Sequence, residues 1–246
     1  MSDKRKYSTG FENLQKRSEG VDEMSAQTFY IFSNAEIALM AYSLGFRKIV
    51  GFELPGNSSD EDETIRTLNF LVNKGIYENT DNTFHMKEPF RSMITQMCRS
   101  QEIICVHYSD DNNSDLCCYP SDQILVCEQS SDCSRIKMNL CSIQELNERI
   151  ISGVKTVKKG EHLYPEEQLI SETDAFIENG KLSPNSKASL WVEKRNLVSG
   201  KRADLFLFEK ALSSYLVCRR DGHAVMTGSS PGEITDSLIG LWEMEL

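Results

Sequence analysis

The sequence predicts an α+β fold: a pseudo-two-fold repeat of antiparallel β-meander plus helix, forming a central sheet flanked by helical bundles. Three observations predict it. Short β-branched and apolar runs separated by turn-forming clusters lie between Glu102 and Cys141, and again between Ser189 and Gly228. A Ser-x-x-Glu helix start follows each group, at Ser142 with Glu145 and at Ser230 with Glu233. The segments "SDLCCYPSDQILVCEQ" and "SSYLVCRRDGHAVMTG" share hydrophobic rhythm and turn position, as copies of one unit would.

The elements follow in order. Residues 1–25 read as a polar N-terminal arm, residues 26–155 as an N-terminal α/β half with a helix-wing element, and residues 156–246 as a C-terminal α/β half, the two halves forming one compact domain. In "SNAEIALMAYSLG", Ser33 and Glu36 make a capping box and Gly45 is the stop of a buried helix. After the loop "ELPGNSSDED", Ile65, Leu68, Leu71 and Val72 recur at helical spacing in a helix from about Glu63 to Asn73, closed by Gly75. A short hairpin, "IYENTDNTFHM", leads to a helix with Pro89 in its first turn and Phe90, Met93, Ile94 and Met97 on one face.

The period then changes to that of strands. "EIICVHYSD", "SDLCCYP", "DQILVCEQS" and "RIKMNLCS" form the first meander, and "SIQELNERIISG" is the helix after it, ended by Gly153. The second half repeats the logic: a Pro-started helix "PEEQLISETDAFIENG", strands "SLWVEKRN", "ADLFLFEKA", "SYLVCRR" and "HAVMTG" with a type I′ turn at Asp221-Gly222, and the helix "PGEITDSLIGLWEM". The meanders either join one sheet or pack as neighbours.

Charge and composition count against several function classes. The net charge of −10 and pI near 5.0 oppose nucleic-acid binding. The winged-helix-like stretch Thr64 to Met86 does not reverse this, since seven carboxylates face five basic side chains between Asp60 and Ser100. No apolar run approaches the ~18 residues of a membrane span, and the N-terminus has no apolar core of a signal peptide, so a soluble cytoplasmic protein without membrane insertion is expected.

The eight cysteines are expected to be reduced, small buried hydrophobes. Seven lie between Cys98 and Cys141 with no C-x-x-C, and Cys117 and Cys118 point to opposite faces of a strand. The four histidines are scattered, so no metal and no cofactor is expected. Dinucleotide, P-loop, G-x-S-x-G, H-E-x-x-H and EF-hand patterns are not expected to contribute a site, and none is read in the chain. Cys105 and His107 share a strand face but lack a third group to orient them, and the acidic run Asp60 to Glu63 suits a helix N-terminus.

In "LFLF", Leu205 and Leu207 point to one face and Phe206 and Phe208 to the other. Either helices cover both faces, or one face docks another protein. On the second reading Trp191, Phe206, Phe208 and Tyr215 are the candidate partner-binding residues, with Lys187, Lys194, Arg195, Lys201 and Arg202 around them. No catalytic residue is assigned.

The segment from Asp62 to Gly153, "DETIRTLNFLVNKGIYENTDNTFHMKEPFRSMITQMCRSQEIICVHY" through "DLCCYPSDQILVCEQ" and "RIKMNLCSIQELNERII", resembles the EspG-like chaperones of type VII secretion systems in its order of helix, stop, wing, helix, strand, meander and closing helix. "KRADLFLFEKALSSYLVCRRDGHAVMTGSSPGEITDSLIGLWEM" resembles the family's C-terminal repeat. The chain departs from the mycobacterial members in being shorter and rich in Cys and Lys, as a distant Gram-positive relative would. The resemblance implies a cytosolic, non-enzymatic chaperone or adaptor that keeps a helical secreted protein, or secreted heterodimer, soluble before export; it transfers no individual residue and no oligomeric state. Two other classes stay open: a winged-helix transcriptional regulator, and a small-molecule-binding domain between the halves.

Overall fold

The computed structural model describes residues 28–52, 61–110, 113–130, 132–154, 166–180, 182, 188–210, 213–220, 223–228 and 230–246. The N-terminal arm, most of the loop "ELPGNSSDED", Pro165, Lys187 and the Asp221-Gly222 turn lie outside the described residues.

Among the described residues, nine strands form one antiparallel sheet. In chain order its strands are β1 (Tyr30–Ser33), β4 (Glu102–Tyr108), β5 (Leu116–Tyr119), β6 (Ile124–Gln129), β7 (Arg135–Cys141), β8 (Ala188–Asn196), β9 (Arg202–Lys210), β10 (Ser213–Arg220) and β11 (His223–Gly228); β2 (Tyr77–Thr80) and β3 (Thr83–Met86) make a separate hairpin. The spatial order is β1-β7-β6-β5-β4-β8-β9-β10-β11. The two meanders therefore join edge to edge through β4 and β8, whose register pairs Cys105 with Glu193 and His107 with Trp191. Strand β1 has no counterpart in the sequence reading. It forms because Tyr30 to Ser33 pair with Met138 to Arg135, about a hundred residues on.

The helices are α1 (Asn34–Ser43), α2 (Glu61–Asn73), α3 (Phe90–Arg99), α4 (Ile143–Ser152), α5 (Glu166–Asn179) and α6 (Pro231–Glu243). Capping boxes are present at α1 and α4, two of the three helix starts where one is expected: Ser33 and Ser142 accept from the backbone N–H of Glu36 and Glu145, whose carboxylates accept in return from the Ser33 and Ser142 N–H at 2.7 Å. Ser230 Oγ accepts from the Glu233 N–H at the start of α6. Pro89 is the N-cap of α3 rather than its first helical residue and makes no side-chain cap; the Glu88 carboxylate accepts from the Ser92 N–H at 3.1 Å instead. The β2–β3 turn places Asp81 and Asn82 at φ 53° and 60°, the type I′ geometry that short polar side chains tolerate.

The sheet's two faces differ. On one, α4 and α6 pack side by side over a single apolar cluster that reaches from Ile124 and Cys141 through Val106, Leu190 and Leu205 to Leu216. Trp242 donates from Nε1 to Asn147 Oδ1 at 2.6 Å, tying the two helices together. Buried Lys194 donates to the carbonyls of Trp242 and Met244 at 3.0 and 2.7 Å and pairs with Glu102 at 3.1 Å, which satisfies the C-terminal end of α6. On the other face there are two clusters: α1, α2 and α3 cover the first meander, and Phe176 and Ile177 of α5 cover the second.

Each meander is followed by a helix on the shared face. The two segments whose rhythm matched occupy different places, however: "SDLCCYPSDQILVCEQ" supplies the second and third strands of its meander, and "SSYLVCRRDGHAVMTG" the third and fourth. On α2, Leu71 is buried but Ile65 is 49% and Phe70 63% exposed, so the apolar stripe is only partly committed to the core. All eight cysteines are free, and Cys118 enters the shared core while Cys117 faces the cluster under α1–α3.

Candidate functional site

Trp191, Phe206, Phe208 and Tyr215, the residues expected at a docking surface, are all buried. Helices cover both faces of "LFLF": Leu205 and Leu207 belong to the core under α4 and α6, Phe206 and Phe208 to the cluster under α5. Trp191 stacks on Phe206 at 5.5 Å, and Phe176 of α5 lies 6.2 and 6.3 Å from Phe206 and Phe208. These four side chains hold the sheet to α5 and present nothing for a partner to touch in this conformation.

The sheet's seam carries a denser constellation. Residues directly opposite across antiparallel strands share a face, so the β4–β8 and β8–β9 registers bring Cys105 and His107, Trp191 and Glu193, and Asp204 and Arg202 into one patch. The expectation that Cys105 and His107 lack an orienting group is corrected here. Asp115, at the entry to β5, places Oδ2 2.7 Å from His107 Nδ1, and Glu193, almost fully buried, places Oε1 3.8 Å from Nε2. The Cys105, His107 and Glu193 ligand atoms all lie within 4.8 Å of one another. At 3.8 Å the Nε2–Oε1 contact is an ion pair and not a hydrogen bond, and Nε2 is buried with no hydrogen-bond partner among the described residues.

The surrounding charges balance. Arg195 grips both Glu193 oxygens, at 2.6 and 2.9 Å, and Arg202 forks onto Asp204 at 2.6 and 2.8 Å while reaching Glu193 at 2.9 Å. Trp191 Nε1 donates to Asp204 at 2.8 Å, and the His107 ring lies 4.6 Å from the indole. Burial works against the His107 charge, but the Asp115 and Glu193 carboxylates outweigh it and push its pKa up to about 9. Burial likewise opposes the Glu193 charge, and His107, Arg202 and Arg195 outweigh it, so its carboxyl lies below the usual range; for Asp204 burial wins and the pKa is raised.

Cys105 is not a poised nucleophile. Its hydrogen bond with Cys117, then burial and the charge of Glu193, drive its thiol well above the ordinary range, whereas a nucleophilic cysteine needs a thiolate near neutral pH. With its pKa pushed up to about 9, His107 favours the charged form at neutral pH and is a poor base for it.

The reading that no G-x-S-x-G pattern occurs is corrected: the pentapeptide Gly228-Ser229-Ser230-Pro231-Gly232 fits it and sits between a strand and a helix. Its central Ser230 has an extended backbone (φ −118°, ψ 163°), not a strained elbow, and spends its hydroxyl capping α6. His223 stands at the far end of β11, roughly 17 Å of strand away. This serine is a helix cap.

Exposed apolar surface lies elsewhere, between β1 and α2. A groove of about 570 Å³ is lined by Ile31, Thr67, Phe70, Lys74 and Arg135 among others, with Ile31 54% exposed. Lys74 bridges its floor, donating to Glu36 at 2.5 Å and to the Ile31 carbonyl at 3.3 Å. A second groove, about 460 Å³ and polar, runs along α3 past Arg91, Gln96 and Arg99. The Cys105 cluster lines neither. Among the described residues no helix is long and apolar enough to cross a membrane.

No protein-family model matches the sequence, and no curated protein does. Its fold is similar to that of the Mycobacterium tuberculosis type VII secretion system chaperone EspG5, whose structure was solved in complex with the PE25–PPE41 dimer. The two share 9% identity, and the superposition covers 88% of this chain and 96% of that chain at a TM-score of 0.56. The chains are thus comparable in length, against the expectation of a shorter one, and the likeness is a remote relationship of fold.

Proposed function

We propose that this chain is a non-enzymatic, cytoplasmic protein-binding chaperone or adaptor that keeps a helical type VII secretion substrate soluble before export. The observation that carries the reading is the fold likeness to a secretion chaperone along nearly its whole length. The site chemistry agrees with it: the charged groups that converge at the seam neutralise one another, and the hydrogen bond with Cys117 and burial favour the thiol form of Cys105. Separately, we read residues 26–155 and 156–246 as two copies of one meander-plus-helix unit, a reading supported by the mirrored strand order on either side of β4 and β8.

The docking surface in this reading is the β1–α2 groove. Ile31 and Phe70 supply exposed apolar area there, and Arg135 supplies a basic side chain beside it on an otherwise acidic protein. Trp191, Phe206, Phe208 and Tyr215 support the sheet from beneath and act on binding only through its shape.

Co-expression with small helical secreted proteins, followed by co-purification and size-exclusion chromatography, tests the reading. A stable complex that is lost on Phe70→Asp, with the variant's far-UV circular dichroism unchanged, is the expected result. Failure of every such protein to form a complex sinks the chaperone function; a complex indifferent to Phe70→Asp moves the interface off the groove.

A further inference from the structure

We infer that Cys105, His107 and Glu193 form a binding site for a divalent transition metal, zinc by its ligand set, at the seam between the two meanders. The inference is independent of the chaperone reading and starts from geometry. One sulfur, one imidazole nitrogen and one carboxylate oxygen converge within 4.8 Å from two strands, at positions that are half-buried to buried. Tetrahedral zinc, with bonds of about 2.0–2.3 Å, sets its ligand atoms roughly 3.3–3.8 Å apart. The cluster therefore has to close by about 1 Å, within reach of side-chain torsions.

His107 is oriented as a metal ligand is. Its Nδ1 is engaged by the Asp115 carboxylate at 2.7 Å, the carboxylate–histidine arrangement that leaves Nε2 to face a metal. That Nε2 is buried and without a hydrogen-bond partner among the described residues. Buried polar atoms are rarely left so, and a bound ion is among the ordinary ways in which they are satisfied. Cys117 stands opposite Cys105 across the β4–β5 ladder, so it and water are the two sources of a fourth ligand.

The donor set selects the ion. A thiolate with an imidazole and one carboxylate suits zinc, whereas magnesium and calcium require mostly oxygen. Glu193 also holds Arg195 and Arg202, but a carboxylate offers about four acceptor positions, and Arg195 is nearly half exposed and free to turn outward. On binding, the metal takes the sulfur and Nε2 lone pairs, and the Cys105 thiol proton and any proton on Nε2 leave to solvent. The site links β4 of the first meander to β8 of the second, so the ion acts as a staple across the seam.

Cobalt(II) titration of the chelator-treated full chain tests the site, because thiolate–cobalt charge transfer absorbs in the near ultraviolet. One equivalent is expected to develop the band and raise the melting temperature. Cys105→Ser is expected to abolish the band, Asp115→Asn to weaken binding about 10- to 100-fold, and Cys133→Ser, at an exposed cysteine, to leave both unchanged. Absence of the band in the wild-type chain overturns the inference whether or not the variants fold. Persistence of the band in Cys105→Ser, or its loss in Cys133→Ser, overturns it as well.

Discussion

The two faces of the sheet solve the same problem in different ways. Under α4 and α6 one apolar cluster runs unbroken from the first meander to the second, contributed by strands β4 to β10 and both helices. Opposite, the apolar surface divides into a cluster under α1–α3 and another under α5, and the gap between them is filled by His107, Glu193, Arg195, Arg202 and Asp204. Buried charge needs partners with good geometry, while methyl groups need only each other. Cohesion of the two halves therefore belongs to the shared face, and the polar seam is the place where ions, protons or ligands can alter the molecule.

Breaking the shared face is expected to have the largest effect. Leu205→Ala removes a fully buried side chain from the continuous cluster and is expected to cost about 2–5 kcal/mol, with the spread set by how far the site collapses. Because the cluster spans both halves, the loss should appear in one cooperative urea transition. The two tryptophans read opposite faces: Trp191 packs in the cluster under α5 and Trp242 in the shared core. Single-tryptophan chains made by Trp191→Phe and Trp242→Phe should still unfold together, and well-separated midpoints would show that the halves are not coupled through this core.

Charging the seam sharpens the comparison next. In the metal-free chain the folded-state pKa of His107, about 9, lies above the ordinary value of 6.5. Its contribution to stability is fully present below about pH 6.5 and is lost as pH rises through about 9, on the order of 1–3 kcal/mol. Denaturant midpoints measured across that window should fall in the wild-type chain, and the part of the fall due to this group should vanish in His107→Gln. An equal slope in both chains would place the titration elsewhere.

The same contrast explains what the sequence could and could not disclose. Strand runs and the Ser33–Glu36 and Ser142–Glu145 caps were legible because each signal lies within a few residues of its partner. The seam was not, since Glu193 reaches His107 only through the β4–β8 pairing, 86 positions away, and no spacing rule encodes that register. Strand β1 escaped for the same reason, needing β7 to exist at all. "LFLF" correctly announced a strand apolar on both faces, but choosing between a docking surface and a covered one required the position of α5. Exposure of Phe70 was hidden for the opposite reason: an apolar residue on an amphipathic helix reads as core until its neighbours are placed.

The smallest expected effect separates the faces at the level of single caps. Ser33→Ala and Ser142→Ala each remove the side-chain acceptor of a capping box, and each should cost roughly 1 kcal/mol. Their reach should differ. Helix α4 packs into the cluster that both meanders share, so Ser142→Ala is expected to lower the global unfolding free energy by the full amount. Helix α1 serves only the cluster over the first meander, and its loss can be absorbed by local opening. Amide hydrogen exchange should then show faster exchange confined to α1 and its contacts in Ser33→Ala, against a general rise across the sheet in Ser142→Ala. Identical exchange patterns in the two variants would mean that the divided face is as cooperative as the continuous one, and that the polar seam transmits stability rather than interrupting it.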